Sequence, residues 1–138
     1  MKLKLLLLLL FISHLSYSAT YYFSSTTGDD SRTATQAQNP STPWKTVKKL
    51  NAYFSYLAPG DFVLFKRGET FYGGIVISKS GSSGSPITIG AYGSGDKPII
   101  TGMTNLSGWV NLGGGIWESY HSALGASVNV VLMNDAPQ

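Results

Sequence analysis

The chain has 138 residues, of which 43% are hydrophobic and only 12% charged, a balance that excludes intrinsic disorder and suits one domain. It contains no cysteine, which excludes a disulfide scaffold, a thiolate metal site and a cysteine nucleophile. The formal charge of +3 includes Lys2 and Lys4; setting these aside leaves eight basic against seven acidic residues, too even for a nucleic-acid binder.

Residues 1–18 are expected to be a secretory signal peptide. Lys2 and Lys4 supply the positive start, Leu5 to Ile12 the apolar stretch, and Ser16-Tyr17-Ser18-Ala19 the small residues a peptidase needs. A spanning helix needs about 20 apolar residues, more than this stretch holds. Cleavage after Ser18 would put serine at both recognition positions, whereas cleavage after Ala19 would put the bulky Tyr17 at one of them. The expected location is therefore outside the cytoplasm, periplasmic or extracellular, with no membrane association after cleavage.

Residues 19–60 read as an N-terminal strand, a loop and one helix. Thr20 to Ser25 is aromatic and β-branched, as strands are. Thr26 to Thr42 is polar and reads as a long loop. Thr42-Pro43 has the look of a helix start, with Thr42 as N-cap and Pro43 at the first helical position. Trp44, Val47, Leu50, Phe54 and Leu57 then recur at helical spacing and predict one buried face. Lys45, Lys48 and Lys49 fall largely off that stripe. Pro59-Gly60 ends it.

Residues 61–138 change character. Short apolar clusters, Phe62–Phe65, Ile75–Ile77, Ile87–Ile89 and Ile99-Ile100, recur about every twelve residues between turn-forming stretches. Such a run fits either a β-sandwich or a solenoid in which two clusters make one rung. Even spacing favours the solenoid, since each rung takes up a similar length. Trp109-Val110, Ile116-Trp117 and residues 128–133 are further candidate strands. No capping helix follows them, so the chain is expected to be the front part of a longer protein.

Three segments carry a family resemblance: Pro40 to Val47, Pro59 to Gly68 and Ser85 to Gly93. They resemble the start of secreted right-handed parallel β-helix proteins, the superfamily that includes pectate-lyase-like and chondroitinase-B-like polysaccharide lyases and some glycoside hydrolases. The resemblance implies a mainly β fold, a right-handed parallel β-helix whose first rungs are closed by the N-terminal strand and one capping α-helix. It implies polysaccharide as partner and substrate, with the chemistry on later rungs. For a lyase it implies a Lys or Arg base, with calcium in the full-length protein; for a hydrolase, paired carboxylates. No segment here matches such a catalytic motif. The catalytic residues are therefore not assigned, and the chain by itself is expected to be inactive.

Several residues invite a chemical reading and a plainer one. Asp29 and Asp30 could ligate calcium, but the next carboxylate is Asp61 and an ordinary turn accounts for them. Lys66 and Arg67 could meet an acidic sugar or abstract a proton, yet Arg67-Gly68-Glu69 reads equally as a solvated hairpin turn with a nearby ion partner. Asp61, after Pro59-Gly60, would bond turn amides. Trp109, Trp117, Tyr120 and His121, with Glu118 beside them, form the candidate sugar-binding group, the rings offering flat apolar faces to pyranose rings. His121 is the one histidine beyond the expected leader, so no multi-histidine metal site is expected. Asn105-Leu106-Ser107 is a glycosylation sequon. The competing functional readings are a polysaccharide-degrading enzyme with its catalytic part elsewhere, a non-catalytic glycan-binding or adhesion module of β-helix or β-sandwich type, and a purely structural cap.

Overall fold

The structure, a computed structural model, describes residues 18–120 and the backbone of two short strands at 132–133 and 136–137. The expected leader, apart from Ser18, lies outside the described residues. So does most of the expected strand at 128–133; its last two residues form β8 (Leu132–Met133), paired antiparallel with β9 (Ala136–Pro137).

β1 (Thr20–Phe23) alternates between half-buried and buried residues, so Tyr21 and Phe23 point inward. β2 (Phe62–Lys66) repeats the pattern with Val63 and Phe65. The strands run parallel with Tyr21 beside Val63 and Phe23 beside Phe65. β4 (Thr88–Tyr92) lies parallel on the other side of β2, giving a three-stranded sheet. β3 (Thr70–Tyr72) and β5 (Ile99–Thr101) form a separate parallel pair, with Phe71 turned into the core. β6 (Val110–Gly113) and β7 (Ile116–Glu118) form an antiparallel hairpin.

The predicted apolar stripe is buried in full: Trp44, Val47, Leu50, Phe54 and Leu57 are each at most 1% exposed. The helix carrying it begins later than expected. α2 (Val47–Tyr53) is capped by Thr46, whose hydroxyl accepts from Lys49 N, and a 3-10 turn, Phe54–Tyr56, continues it. Thr42 is not the cap, because the backbone at Trp44 is engaged elsewhere. Trp44 N donates to Tyr22 O and Ser24 N donates to Trp44 O, so this residue bridges the outer edge of β1. The loop before it also contains a helix, α1 (Ala34–Ala37), closed by a capping box between Thr33 and Gln36.

Aromatic rings fill the space between helix and sheet. Trp44 stacks on Tyr21 with centroids 5.6 Å apart, and Phe23, Phe65 and Phe71 follow as successive ring contacts. Rings in such offset and edge-on contacts contribute about 0.5–1.5 kcal/mol per pair beyond their buried area. With no disulfide available, this cluster is the main source of cohesion.

The solenoid expectation is corrected. The described sheets are three and two strands wide and do not continue as stacked coils. Ile75–Ile77, expected to be a rung strand, lies in no strand, and Val76 and Ile77 are mostly exposed. The reason is local: Asn51 of α2 donates to Gly74 O and accepts from Val76 N, each at 2.9 Å. Those backbone groups are thereby satisfied by a side chain rather than by a strand ladder. Further on, Gly113, Gly114 and Gly115 all have positive φ and fold the chain back into the β6–β7 hairpin. The regular spacing of clusters reported the positions of turns, not a coil. A β-sandwich of antiparallel layers is not formed either, since the pairs made by β1 to β5 are all parallel.

Candidate functional site

Of the residues expected to bind sugar, Trp117 lies in β7, Trp109 immediately precedes β6 and Tyr120 follows β7 by two positions. Trp117 lies directly opposite Asn111 in the register. Trp109, one residue before β6, is outside the strand pairing. Trp109, Trp117 and Tyr120 are 47%, 57% and 85% exposed, well above the aromatic residues of the core. The hairpin is tied back at its base by Ser119 Oγ, which donates to Ser107 O at 2.7 Å. Val110, Leu112 and Ile116 are also more than half exposed, making this the most apolar exposed segment among the described residues. His121 lies outside the described residues, so its relation to the three rings is not described. Glu118 pairs across the strands with Val110 and belongs to the same hairpin.

The acidic residues are structural where they are described. Asp29 Oδ1 accepts from Ser31 N at 2.8 Å, an Asx turn. That amide and the Ser31 side chain hold the Asp29 carboxyl below its usual range. Asp30 Oδ1 accepts from Lys45 N at 2.7 Å and Thr46 N at 3.1 Å, fixing the approach to α2. Asp61 is 2% exposed; its two oxygens accept from Ala19 N and Ala58 N, each at 2.8 Å. Four of the six described carboxylates, these three and Glu69, are thus occupied by backbone amides.

Glu69 is the constellation that sequence reading missed. Its Oε1 accepts from Ser24 Oγ at 2.9 Å and from Thr26 Oγ1, and its Oε2 from Ser25 N at 2.6 Å. Lys66 Nζ lies 3.4 Å away, the ion partner expected at the Arg67-Gly68 turn. That turn is not a hairpin: β2 and β3 lie in different sheets, and Arg67 N and Gly68 N donate to Tyr92 O and Asp96 O. Burial works to raise the Glu69 pKa, but the Thr26 and Ser24 hydroxyls and the Ser25 and Thr26 amides outweigh it and hold it below the ordinary range. A carboxylate this fully hydrogen-bonded is a clamp rather than a proton donor. The Tyr92 hydroxyl is buried with no hydrogen-bond partner among the described residues, and burial, then the nearby Glu69 charge and Tyr22, push it up to about 12. Three consecutive hydroxyl-bearing residues, Ser24, Ser25 and Thr26, bond one acid 43 to 45 positions away, and no local spacing joins them.

A groove of about 300 Å³ lies between the 3-10 turn and β4, lined by Phe54, Ile77, Ser80, Pro86, Ile87 and Ile89. Its walls carry no acid or base except Lys79, whose ammonium donates to Ser55 O at 3.3 Å. Among the described residues no group of three or more His, Cys, Asp or Glu could hold a metal ion. Nor, among them, is any helix long and apolar enough to cross a membrane.

Comparison with known proteins supplies the chemical context. No protein-family model matches the chain. It is 42% identical over 89 residues to a lacto-N-biosidase of Bifidobacterium longum, a match covering 62% of this chain and 5% of that protein. It is also similar to the solved structure of a GH136 lacto-N-biosidase from Eubacterium ramulus. The native form is 37% identical with a TM-score of 0.50, covering 58% of this chain and 12% of that one. The selenomethionine form is 36% identical with a TM-score of 0.51, covering 62% and 13%. The chain thus spans a small fraction of the length of these relatives. They are glycoside hydrolases, and this overturns the pectate-lyase-like and chondroitinase-B-like resemblance carried by Pro40–Val47, Pro59–Gly68 and Ser85–Gly93.

Proposed function

We propose that this chain is the N-terminal part of an exported glycoside hydrolase of the lacto-N-biosidase kind. The observation that supports this reading is the 42% identity to a lacto-N-biosidase, together with two matches of similar extent to a solved one. Glycoside hydrolysis generally needs two carboxyl groups, one to protonate the leaving oxygen and one to act as nucleophile or base. Four of the six described carboxylates are spent on backbone amides, which favours a catalytic pair elsewhere in the full-length enzyme. In this reading the described domain supports the catalytic part, and Trp109, Trp117 and Tyr120 add an aromatic surface for sugar rings.

The test is hydrolysis of a chromogenic lacto-N-bioside by the full-length protein and by this chain alone. Turnover by the full-length protein and none by the 138 residues is the expected result. Turnover by the isolated chain would refute the placement of the chemistry. Sugar binding by the full-length protein without any product would replace the enzyme with a glycan-binding module.

A further inference from the structure

We infer that removal of the leader after Ser18 creates an ion pair between the new α-ammonium of Ala19 and the buried carboxylate of Asp61. Ala19 N lies 2.8 Å from Asp61 Oδ1, at hydrogen-bond distance. Asp61 is nearly inaccessible, and its other oxygen is already satisfied by Ala58 N. Ala19 is held from its other side as well, since Phe62 N donates to Ala19 O at 2.8 Å and the next residue, Thr20, begins the β1–β2 register. The amine is therefore delivered to the carboxylate by the strand itself. Ser18, by contrast, is exposed, and its hydroxyl donates to Gly60 O.

In the unprocessed chain Asp61 is a buried anion facing two neutral amides. Burial of a charge is costly unless it is paired as well as hydrogen-bonded. Hydrolysis of the Ser18–Ala19 peptide bond adds one water: the C–N bond breaks, the carbonyl carbon gains the oxygen, and the nitrogen leaves as an amine that protonates. A neutral hydrogen bond becomes a charge-assisted one at the same position, the stronger class. Processing one residue later would instead delete the Ala19 carbonyl that anchors Phe62 and move the amine past Asp61. Cleavage after Ser18 is thus the position that sets the released charge on Asp61 while keeping the Ala19 carbonyl bonded to Phe62.

The experiment begins with the full-length protein exported with its own leader, whose first residue is read by N-terminal sequencing. Ala19 is expected; Thr20 or any residue before Ala19 would overturn the inference. The full-length protein is then prepared starting at Ala19 and starting at Ser18, the latter keeping an amide at Ala19. The Ala19 form should unfold with an equilibrium constant roughly tenfold smaller, as suits exchanging a neutral hydrogen bond for a charged one. In the D61N background this difference should vanish. Equal stability of the two forms, or a difference that persists unchanged in D61N, would overturn the pair; should D61N not fold, the comparison of the two starting positions decides alone.

Discussion

Glu69 and Ser24 are joined by a 2.9 Å hydrogen bond between a carboxylate and a buried hydroxyl 45 residues apart in sequence. The contact ties the end of β1 to the turn between β2 and β3, and Ser25 and Thr26 add donors to the same acid. Glu69→Ala would leave these donors without their acceptor, at a cost on the order of 2 kcal/mol. Urea unfolding should show the loss as a lowered midpoint with an unchanged slope.

The same carboxylate makes stability depend on pH with a definite sign. Its pKa is lowered in the folded chain, so its contribution is complete above the unfolded value and disappears as the pH falls through the lowered one. Glu69→Gln should therefore flatten the acid side of the stability profile while the wild-type chain loses stability there. Parallel acid limbs for the two proteins would show that Glu69 is not the group responsible.

Glycine is required at one turn and merely convenient within β4. A Cβ at Gly28 would stand 2.2 Å from Ser24 O and 2.3 Å from Trp44 O, both rigid backbone atoms of the hydrogen bonds that close the edge of β1. At Gly90 the nearest atom is the tip of Leu64, at 3.1 Å. Gly28→Ala should destabilise by more than about 3 kcal/mol, in the range reserved for core disruption. Gly90→Ala, where a flexible side chain gives way, should cost about 1 kcal/mol or less. Thermal unfolding of the two variants side by side measures the difference.

How much of this could be read from the sequence depended on how local the cause was. The buried stripe from Trp44 to Leu57 is set by neighbours a few residues away and emerged from spacing; β1 and β2 emerged as apolar runs, whereas their inward alternation is seen only in the fold. The turn role of Asp29 also follows from adjacent backbone, as does the bond of Asp61 to Ala58 N, whereas its bond to Ala19 N spans 42 residues. The start of α2 was misplaced because Trp44 is claimed by β1, a long-range pairing that overrides the Thr42-Pro43 signal. α1 was missed although its Thr33 and Gln36 have capping-box spacing. The solenoid failed at Ile75–Ile77 because Asn51 takes up the backbone groups a strand would have paired. Of the expected sugar-binding group, Trp109, Trp117 and Tyr120 share one exposed segment, whereas the Glu69 clamp, built across 45 residues, left no periodic trace.

Trp44 separates packing from hydrogen bonding. Its ring is buried against Tyr21, Phe23 and Tyr53, Lys49 Nζ sits 5.1 Å above it, and its indole N–H donates to Arg32 O at 2.7 Å. Trp44→Ala should cost about 3–5 kcal/mol, the range for emptying an aromatic site. Trp44→Phe keeps much of the ring and loses the donor, so about 1–3 kcal/mol is expected from the Arg32 carbonyl left unmet. Equal losses for the two variants in denaturant titrations would mean that the hydrogen bond, not the packing, dominates.

The two exposed tryptophans should behave in the opposite way. Trp109 and Trp117 are about half exposed and enter none of the aromatic pairs among the described residues, so little packing is lost on truncation. Trp109→Ala and Trp117→Ala should each shift stability by no more than about 0.5 kcal/mol, as surface changes do. A tryptophan that anchors a ligand typically contributes about 2 kcal/mol to binding, roughly thirtyfold in Kd. Calorimetric titration of the full-length protein with a lacto-N-biose-terminated oligosaccharide should show a loss of that size in at least one variant, with the thermal midpoint unchanged. A large fall in the midpoint with no change in Kd would make the hairpin a packing surface for the rest of the full-length protein rather than a sugar-binding one.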